Sequence, residues 1–248
     1  MKAIILAAGY ATRLYPLTKD TPKALLPVAG RTILDRLLDG MRAIPEIDHI
    51  HLVTNHRFAP AFEEWRQTVQ VHCPITVHDD GTTSNEDRLG AVGDIAFVLE
   101  RAGIDDDLFV AASDNLFTFP LSDFAADFRR HGRDLLLGTR IDDVDTLRRY
   151  AVAALDGENR VLSLVEKPQE PQSHIGICAI YLYRRDTAPL FSAMIAESRA
   201  AGKRPDAPGY FAEWLCKRKE VRVYLASGEC VDIGTVESYR EVCARWTN

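Results

Sequence analysis

The chain has 248 residues, of which 46% are hydrophobic and 27% are charged, and this is the composition of an ordinary globular protein. The formal net charge of −6 excludes nucleic-acid binding that relies on a basic surface. Residues 1–9 are too few for a signal peptide or a membrane span, and the five scattered cysteines form no C-x-x-C pair. We therefore predict a cytoplasmic protein with reduced cysteines, no nucleic-acid partner and no membrane partner.

Strands and helices alternate through the first 140 residues. Apolar runs predict strands at Lys2–Leu6, His49–Val53, Ile75–His78, Leu108–Ala112 and Asp134–Thr139. Apolar residues at helical spacing predict helices at Thr32–Ile44, Ala59–Thr68, Gly90–Arg101 and Leu121–His131. This alternation predicts the α/β class, with a mostly parallel mixed sheet, helices on both faces and a ligand crevice at the carboxyl ends of the strands.

The pattern changes after residue 140. The runs Tyr150–Leu155 and Val161–Val165 flank a turn over Asp156–Asn159 and predict a small β-hairpin. The remaining predicted elements are strands at Ile177–Tyr183 and Val221–Leu225, helices at Pro189–Ala200, Phe211–Arg218 and Val236–Trp246, and a loop over Gly202–Gly209. Because no linker or repeat interrupts the chain, we expect one domain over residues 1–248 with two halves, 1–140 and 141–248.

The segment Gly9–Lys23 follows the first predicted strand and carries two cations, Arg13 and Lys23. Small residues at its start let backbone N–H groups approach a ligand closely, and such concavities favour anions. The guanidinium and the ammonium match phosphate oxygens, so a nucleoside triphosphate is the simplest ligand. Neither a Walker loop nor a dinucleotide-binding glycine fingerprint is present in the sequence, and an ordinary β–α connection with incidental charges is the alternative.

The string Leu6–Leu14, followed by Pro16, Thr18 and Pro22-Lys23, resembles the signature of the sugar-phosphate nucleotidylyltransferases, such as the glucose-1-phosphate thymidylyltransferases. The resemblance covers nearly the whole chain and implies a Rossmann-like nucleotidyltransferase fold. We expect the short form of the family, without the C-terminal β-helix of longer relatives. The resemblance also implies that Arg13 and Lys23 are catalytic. The nucleotide contacts that it implies within this string come from Leu6, Ala8, Gly9, Tyr10, Ala11, Thr12 and Arg13.

Two acids are candidates for a metal site. Asp114 follows the predicted strand Leu108–Ala112, and a carboxylate at a strand end can hold Mg²⁺ together with substrate phosphates. A turn-forming Asp-Asn pair is the alternative there. The segment Val231–Thr235 resembles the second acidic element of the family, whose aspartate, here Asp232, completes the metal site. A capping role beside the final helix is the alternative for Asp232.

Asn85 and Gly90 have the spacing of the family residues that read the nucleobase edge and let the base lie flat. The amide of Asn85 can both donate and accept hydrogen bonds, which suits a pyrimidine edge. A loop that leads into a helix, with glycine in its first turn, is the alternative.

The acceptor side carries three further matches. Glu166-Lys167 resembles the family pair that binds sugar hydroxyls and the acceptor phosphate, although charged residues are also common at an exposed strand end. Tyr150 and Ala179 lie in segments that resemble two acceptor-side strands. Alanine stands at 151 and 179 where the family often has glycine, as it does at Ala11, and these methyl groups are expected to alter the acceptor pocket.

These features together predict a Mg²⁺-dependent nucleotidyltransferase that moves a nucleoside monophosphate from an NTP to a small phosphorylated acceptor and releases pyrophosphate. A sugar 1-phosphate is the expected acceptor. The added methyl groups leave open a cytidylyltransferase for phosphocholine or a phosphonate, and a non-catalytic nucleotide-binding regulatory protein is the remaining alternative. The motifs name neither the base nor the acceptor, and they leave a homo-oligomer open.

Overall fold

The computed structural model describes residues 1–246 of the chain. Within these residues the strands are β1 (Lys2–Leu6), β2 (Pro27–Val28), β3 (Arg31–Thr32), β4 (His49–Thr54), β5 (Ile75–Asp79), β6 (Leu108–Ala112), β7 (Asn115–Phe117), β8 (Asp134–Arg140), β9 (Ala151–Leu155), β10 (Val161–Glu166), β11 (Ile175–Tyr183), β12 (Val221–Leu225) and β13 (Cys230–Asp232). The helices are α1 (Ile33–Arg42), α2 (Ala59–Thr68), α3 (Ala91–Ala102), α4 (Leu121–His131), α5 (Val144–Leu147), α6 (Leu190–Ala200), α7 (Pro208–Cys216) and α8 (Val236–Arg245). Among residues 1–246, no helix is long and apolar enough to cross a membrane.

Nine strands form one mixed sheet in the order β10-β9-β11-β6-β1-β4-β5, with β8 paired to β11 and β12 paired to β8. Strands β6, β1, β4 and β5 are parallel to one another, whereas β11 runs antiparallel to β6, β8 and β9. The carboxyl ends of the four parallel strands therefore meet at one edge of the sheet. Ligands of such sheets bind outside this edge.

Helices cover both faces of the sheet, as the alternating pattern predicted. On one face, α1, α2 and α4 bury side chains that include Leu37, Phe62 and Phe124. On the other face, α3, α6 and α7 bury residues such as Ile95 and Phe211. The predicted α/β class is confirmed.

A smaller apolar cluster lies beside the sheet and packs α8 against the loop that follows β1. Its buried members include Leu14, Ile233 and Val242. These three residues come from the loop after β1, the end of β13 and the last helix. The cluster therefore packs the loop after β1 against the last helix, next to the carboxyl edge of the sheet.

The predicted elements occur in the structure, some with identical ends and the others with ends shifted by up to three residues. The helix predicted at Phe211–Arg218 begins earlier, at Pro208, because proline suits the first turn of a helix, where its missing N–H costs nothing. The strand predicted from Tyr150 begins at Ala151. The pairs β2–β3 and β7–β13 were not predicted, since strands of two or three residues carry no usable periodicity. The last two residues of the predicted domain lie outside the described residues.

Candidate active site

Two polar side chains hold the loop that follows β1. The buried amide of Asn55, at the end of β4, donates through Nδ2 to the Ala8 carbonyl at 2.9 Å. Thr18 Oγ1 donates to the Ala11 carbonyl at 2.8 Å. Since both bonds satisfy carbonyl oxygens from the protein side, they hold the loop in one conformation.

Ala11 has a left-handed backbone conformation, with φ of 48° and ψ of 40°. Glycine adopts this conformation freely, whereas a residue with a Cβ is strained in it by about 1–2 kcal/mol. This is the position where the family resemblance implies glycine. The loop therefore keeps the left-handed turn and places the strain on an alanine.

A cavity of about 390 Å³ opens above this loop, at the carboxyl edge of the sheet. All nine residues predicted to contact the nucleotide line it, namely Leu6, Ala8, Gly9, Tyr10, Ala11, Thr12, Arg13, Asn85 and Gly90. Gly9 faces open space, since a Cβ added there would have no atom within 4 Å. We call this space the first cavity.

The second half of the chain closes one side of the first cavity through Asp206. Its carbonyl accepts from the Ala91 N–H at 2.7 Å, and its carboxylate pairs with Arg88 at 2.9 Å. This bond to Arg88 lowers the pKa of Asp206 below its ordinary value. Gly90 has φ of +78°, and a Cβ there would lie 3.0 Å from Asp206 Oδ1, so only glycine fits. The sequence showed the glycine but no sign of Asp206, which lies in the predicted loop.

A second cavity of about 470 Å³ adjoins the first. Every residue predicted for the acceptor or the metal lines it, namely Asp114, Tyr150, Glu166, Lys167, Ala179 and Asp232. The two cavities share four lining residues, Leu6, Arg13, Ala91 and Ala207. Two consecutive arginines at 148 and 149 also line the second cavity, and sequence reasoning missed them although they directly precede Tyr150.

Lys23 joins the two acids. Its Nζ lies 2.8 Å from Asp114 Oδ2 and 3.4 Å from Asp232 Oδ1. Strands β7 and β13 bring the acids together, because Asp232 pairs with Asn115 in an antiparallel register. The lysine itself is not among the lining residues of either cavity, so it lies behind the carboxylates.

Charge and burial oppose each other in this trio. Burial alone lowers the pKa of the Lys23 ammonium, but Asp114 and Asp232 outweigh it and raise this pKa above its ordinary value. Burial and the charge of Asp114 raise the pKa of Asp232 despite the nearby ammonium. Two carboxylates share one cation here, which leaves a net charge of −1 and mutual repulsion between the acids.

The residues present fit a magnesium ion. Among residues 1–246, no cluster of three or more His, Cys, Asp or Glu side chains could hold a metal ion. Mg²⁺ does not need such a cage, since it commonly binds one or two carboxylates together with substrate phosphates and water. The side chains of Asp114 and Asp232 are 31% and 43% exposed, so their oxygens are accessible from the second cavity.

The other wall of the second cavity holds a buried carboxylate. The Glu166 side chain is only 6% exposed, and Lys167 Nζ lies 3.6 Å from its Oε1. Burial raises the pKa of Glu166 despite this lysine. Lys167 has a left-handed backbone with φ of 49°, a strained conformation that proteins retain mainly at functional sites.

Tyr150 connects this wall to the acids, because its hydroxyl accepts from the Asp232 N–H at 3.4 Å. Its backbone carbonyl accepts from the Lys167 N–H at 3.1 Å. Burial raises the pKa of the Tyr150 hydroxyl, which is therefore protonated throughout the physiological range. Tyr150, Glu166 and Lys167 thus form one connected wall, and Ala179 also lines the second cavity.

Comparison with known proteins places the chain in a family. Residues 2–248 match the family model described as nucleotidyl transferase. The chain therefore belongs to the nucleotidyl transferase family, and the expected resemblance is confirmed.

Individual relatives carry different names. A glucose-1-phosphate thymidylyltransferase of Streptomyces griseus is 28% identical over 244 residues, which are 98% of this chain and 65% of the relative. A human mannose-1-phosphate guanylyltransferase regulatory subunit alpha is 27% identical over 231 residues, which are 91% of this chain and 54% of the relative. The chain thus spans between half and two thirds of the length of these relatives.

A solved UDP-glucose pyrophosphorylase complexed with UDP-glucose superposes with a TM-score of 0.81 and 19% identity. The match covers 98% of this chain and 97% of that structure. At this identity the likeness concerns the fold alone. The three proteins are named for thymidylyl, guanylyl and UDP-glucose chemistry, so they do not agree on one base.

Proposed function

We propose that the protein transfers a nucleotidyl group from an NTP to a sugar 1-phosphate and releases pyrophosphate. The observation that carries this proposal is Arg13, which lies in the wall shared by the two cavities. A nucleotide in the first cavity and an acceptor in the second would meet beside this guanidinium. Family membership and the name of the thymidylyltransferase relative support the same reaction class.

The chemistry needs positioning and charge rather than a covalent intermediate. An oxygen of the acceptor phosphate attacks the α-phosphorus in line, and the bond to the bridging oxygen of pyrophosphate breaks. Arg13 faces the β- and γ-phosphates and neutralises the leaving group. The Lys23 ammonium, kept protonated by the two acids, holds Asp114 and Asp232 from behind and adds positive charge near the α-phosphoryl group and the acceptor phosphate.

Asp114 and Asp232 would hold the Mg²⁺ ion. When bound, this ion supplies positive charge to the phosphate oxygens. The same two carboxylates also accept hydrogen bonds from the Lys23 ammonium and keep it in place. The two acids would therefore have two roles, since they would hold Mg²⁺ and they orient the Lys23 ammonium.

The acceptor is held by the second cavity. Lys167 binds the acceptor phosphate, and the Glu166 carboxylate accepts from sugar hydroxyls, while Tyr150 and Ala179 line the pocket. In this proposal residues 1–140 form the nucleotide half and residues 141–248 form the acceptor half. Each half also contributes a residue to the cavity of the other half, because Asp206 lines the first cavity and Asp114 lines the second.

Pyrophosphate release tests the proposal. The purified chain is incubated with each of GTP, CTP, ATP, UTP and dTTP, with Mg²⁺ or with EDTA, and with a panel of sugar 1-phosphates, phosphocholine and a phosphonate. We expect Mg²⁺-dependent release with at least one sugar 1-phosphate. Release with phosphocholine or a phosphonate alone would replace the sugar acceptor by the non-sugar one. No release with any pair would favour a regulatory role, as in the name of the human relative.

The variants Lys23→Ala and Asp114→Ala each remove one charge from the reaction centre. We expect a loss of about 10²–10³-fold in turnover, because a preorganised electrostatic contact is typically worth that much. The matched control is Lys2→Ala, which breaks the exposed pair with Asp48 at the far end of β1 and is expected to change turnover less than twofold. Near wild-type pyrophosphate release by either site variant would contradict the proposed roles.

A further inference from the structure

The position of Asp232 depends on a backbone bond outside its own strand pair. Asp232 ends β13, which forms a two-stranded sheet with β7, and it lies opposite Asn115 there. The N–H of the next residue, Ile233, donates to the Asp114 carbonyl at 3.3 Å. Neighbouring residues of a strand direct their N–H groups to opposite edges. The Asp232 N–H therefore points away from β7 and needs an acceptor elsewhere.

The Tyr150 hydroxyl provides this acceptor, with its oxygen 3.4 Å from the Asp232 nitrogen. Tyr150 directly precedes β9 of the nine-stranded sheet and lines the second cavity. The bond therefore joins the main sheet to the short sheet that carries the acid. Strand β7 follows β6 after two residues, so the chain itself holds β7 beside the main sheet. Strand β13 is far from both in sequence and depends on non-covalent contacts such as this bond.

The main chain of Tyr150 holds the other side of the second cavity. Its carbonyl accepts from the Lys167 N–H at 3.1 Å, which continues the pairing of Ala151 with Glu166 between β9 and β10. Tyr150 thus contacts Asp232 through its side chain and Lys167 through its main chain. Because the two contacts use different groups, removal of the hydroxyl breaks the first contact and leaves the second.

Asp232 needs to be held because it lies beside a like charge. The Lys23 ammonium contacts both Asp114 and Asp232, so one cation faces two carboxylates that repel each other. The Asp232 side chain is partly exposed and can turn toward solvent, away from Asp114. A fixed backbone at Asp232 limits this movement, and its carboxylate stays where one cation can contact both acids.

We propose that Tyr150 is a positioning residue whose hydroxyl holds Asp232 in place for the divalent cation. This inference rests on the proposed function, which assigns Mg²⁺ to Asp114 and Asp232. Groups that orient a metal ligand typically contribute about 10- to 100-fold to metal affinity. Since Tyr150 acts on the backbone of Asp232 rather than on its carboxylate, we expect the lower end of this range, about tenfold.

Binding of Mn²⁺ to the full chain, measured by water-proton relaxation, tests the proposal. Mn²⁺ prefers the same oxygen ligands as Mg²⁺. It is titrated alone and together with inorganic pyrophosphate, the product that is released whichever base the nucleotide carries. We expect Tyr150→Phe, which keeps the ring and the main chain, to bind Mn²⁺ about tenfold more weakly than the wild type.

Tyr239→Phe is the matched control. The Tyr239 hydroxyl also bonds to the main chain, donating to the Pro27 carbonyl at 2.6 Å, but the residue is not among those that line either cavity. We expect this variant to bind Mn²⁺ as the wild type does.

Steady-state kinetics gives a second readout. In Tyr150→Phe the Mg²⁺ concentration for half-maximal turnover should rise about tenfold, because the cation site is weakened. The KM for the acceptor at saturating Mg²⁺ should not change, because the main-chain contact to Lys167 is kept. A general disruption of the second cavity would change both quantities.

Wild-type Mn²⁺ affinity in Tyr150→Phe, or an equal loss of affinity in Tyr239→Phe, would overturn the inference and leave the proposed function intact. A wild-type chain that binds no Mn²⁺ under either condition would also overturn it, because there would be no cation site to position. The proposed function fails by a different measurement, the absence of pyrophosphate release with every nucleotide and acceptor. Thermal unfolding of both variants confirms that they are folded before the affinities are compared.

Discussion

Gly209, in the first turn of α7, lies against the carboxylate of Glu166. A Cβ added at Gly209 would lie 1.8 Å from Glu166 Oε2 and 3.1 Å from the Cβ of Ala151. Contacts under 3.0 Å force a shift, and the carboxylate is the group that can move. Because Gly209 has no side chain, the Glu166 carboxylate can occupy its position in the wall of the second cavity.

The variant Gly209→Ala is expected to raise the KM for the acceptor about tenfold with a smaller effect on kcat. The reason is that Glu166, displaced by the new methyl group, would lose the hydrogen bonds to the acceptor that we propose for it, and each such bond to a charged group is worth about tenfold. Steady-state kinetics with varied acceptor measures both constants. Gly157→Ala is the control, since a Cβ there has no atom within 4 Å. An unchanged KM would separate Glu166 from acceptor binding.

Some cavity residues could be predicted from the sequence, and others could not. The small residues and Arg13 in the loop after β1 form a local pattern, so their place at a cavity could be predicted. Asp94 and Asp206 could not be predicted, because one lies on a helix that reads as ordinary and the other in a loop without a motif. Their surroundings, rather than their neighbours in sequence, make them part of the cavity.

At the scale of elements, Asp134 connects three segments. It is fully buried at the start of β8, and its carboxylate accepts from the Arg184 N–H at 2.7 Å and from the Thr187 hydroxyl at 2.8 Å. Lys219, two residues before β12, pairs with the Asp134 carboxylate at 2.9 Å. One carboxylate thus ties β8 to the turn after β11 and to the start of β12.

The variant Asp134→Ala is expected to lower the free energy of unfolding by about 3 kcal/mol, because it leaves buried donors and a lysine without their acceptor. Urea denaturation measures this change. Asp186→Ala provides a matched control, since Asp186 pairs with the same Lys219 but is 74% exposed. An exposed pair is worth about 0–1 kcal/mol. Equal effects of the two variants would show that burial at Asp134 contributes nothing.

Sequence periodicity did not reveal the two short strands that bring the candidate acids together. Strands β7 and β13 have three residues each, and their pairing sets Asp232 opposite Asn115, next to Asp114. The sequence therefore identified the acids as candidates through local strings. Their meeting depends on a tertiary contact between segments that are far apart in the chain.

At the scale of the whole molecule, stability depends on pH through buried histidines. His51 is 5% exposed in β4, and its Nδ1 lies 2.9 Å from Nε2 of His78 in β5. Burial is the main reason that the pKa of His51 falls to about 4. The folded protein thus keeps His51 neutral, whereas the unfolded chain takes up a proton near pH 6.5.

The sign of the effect follows from proton uptake. Between pH 6.5 and pH 4 the unfolded state binds more protons at His51, so stability falls as the pH falls through this window. We expect the loss of free energy of unfolding between pH 7 and pH 4.5 to be about 2 kcal/mol smaller in His51→Gln than in the wild type. Urea denaturation at both values measures the difference.

Two features allow the difference between the wild type and His51→Gln to be assigned to His51. Asp94 works in the opposite direction, because its raised pKa favours the folded state as the pH falls from 8 to 3.8, but it is present in both proteins and cancels. His174→Gln, which changes a histidine with a side chain 47% exposed, is expected to leave the loss as in the wild type. Identical losses in all three proteins would rule out His51 as the source.

The sequence by itself determined the α/β class, most elements of the central sheet and the residues that could bind phosphate, because periodicity and short motifs are local properties. The tertiary structure alone decided that two cavities adjoin at Arg13 and that Lys23 joins two acids. The physical reason is that Coulomb and hydrogen-bond interactions depend on the distances between atoms in space. These distances are set when the chain folds, and the separation of two residues along the sequence does not reveal them.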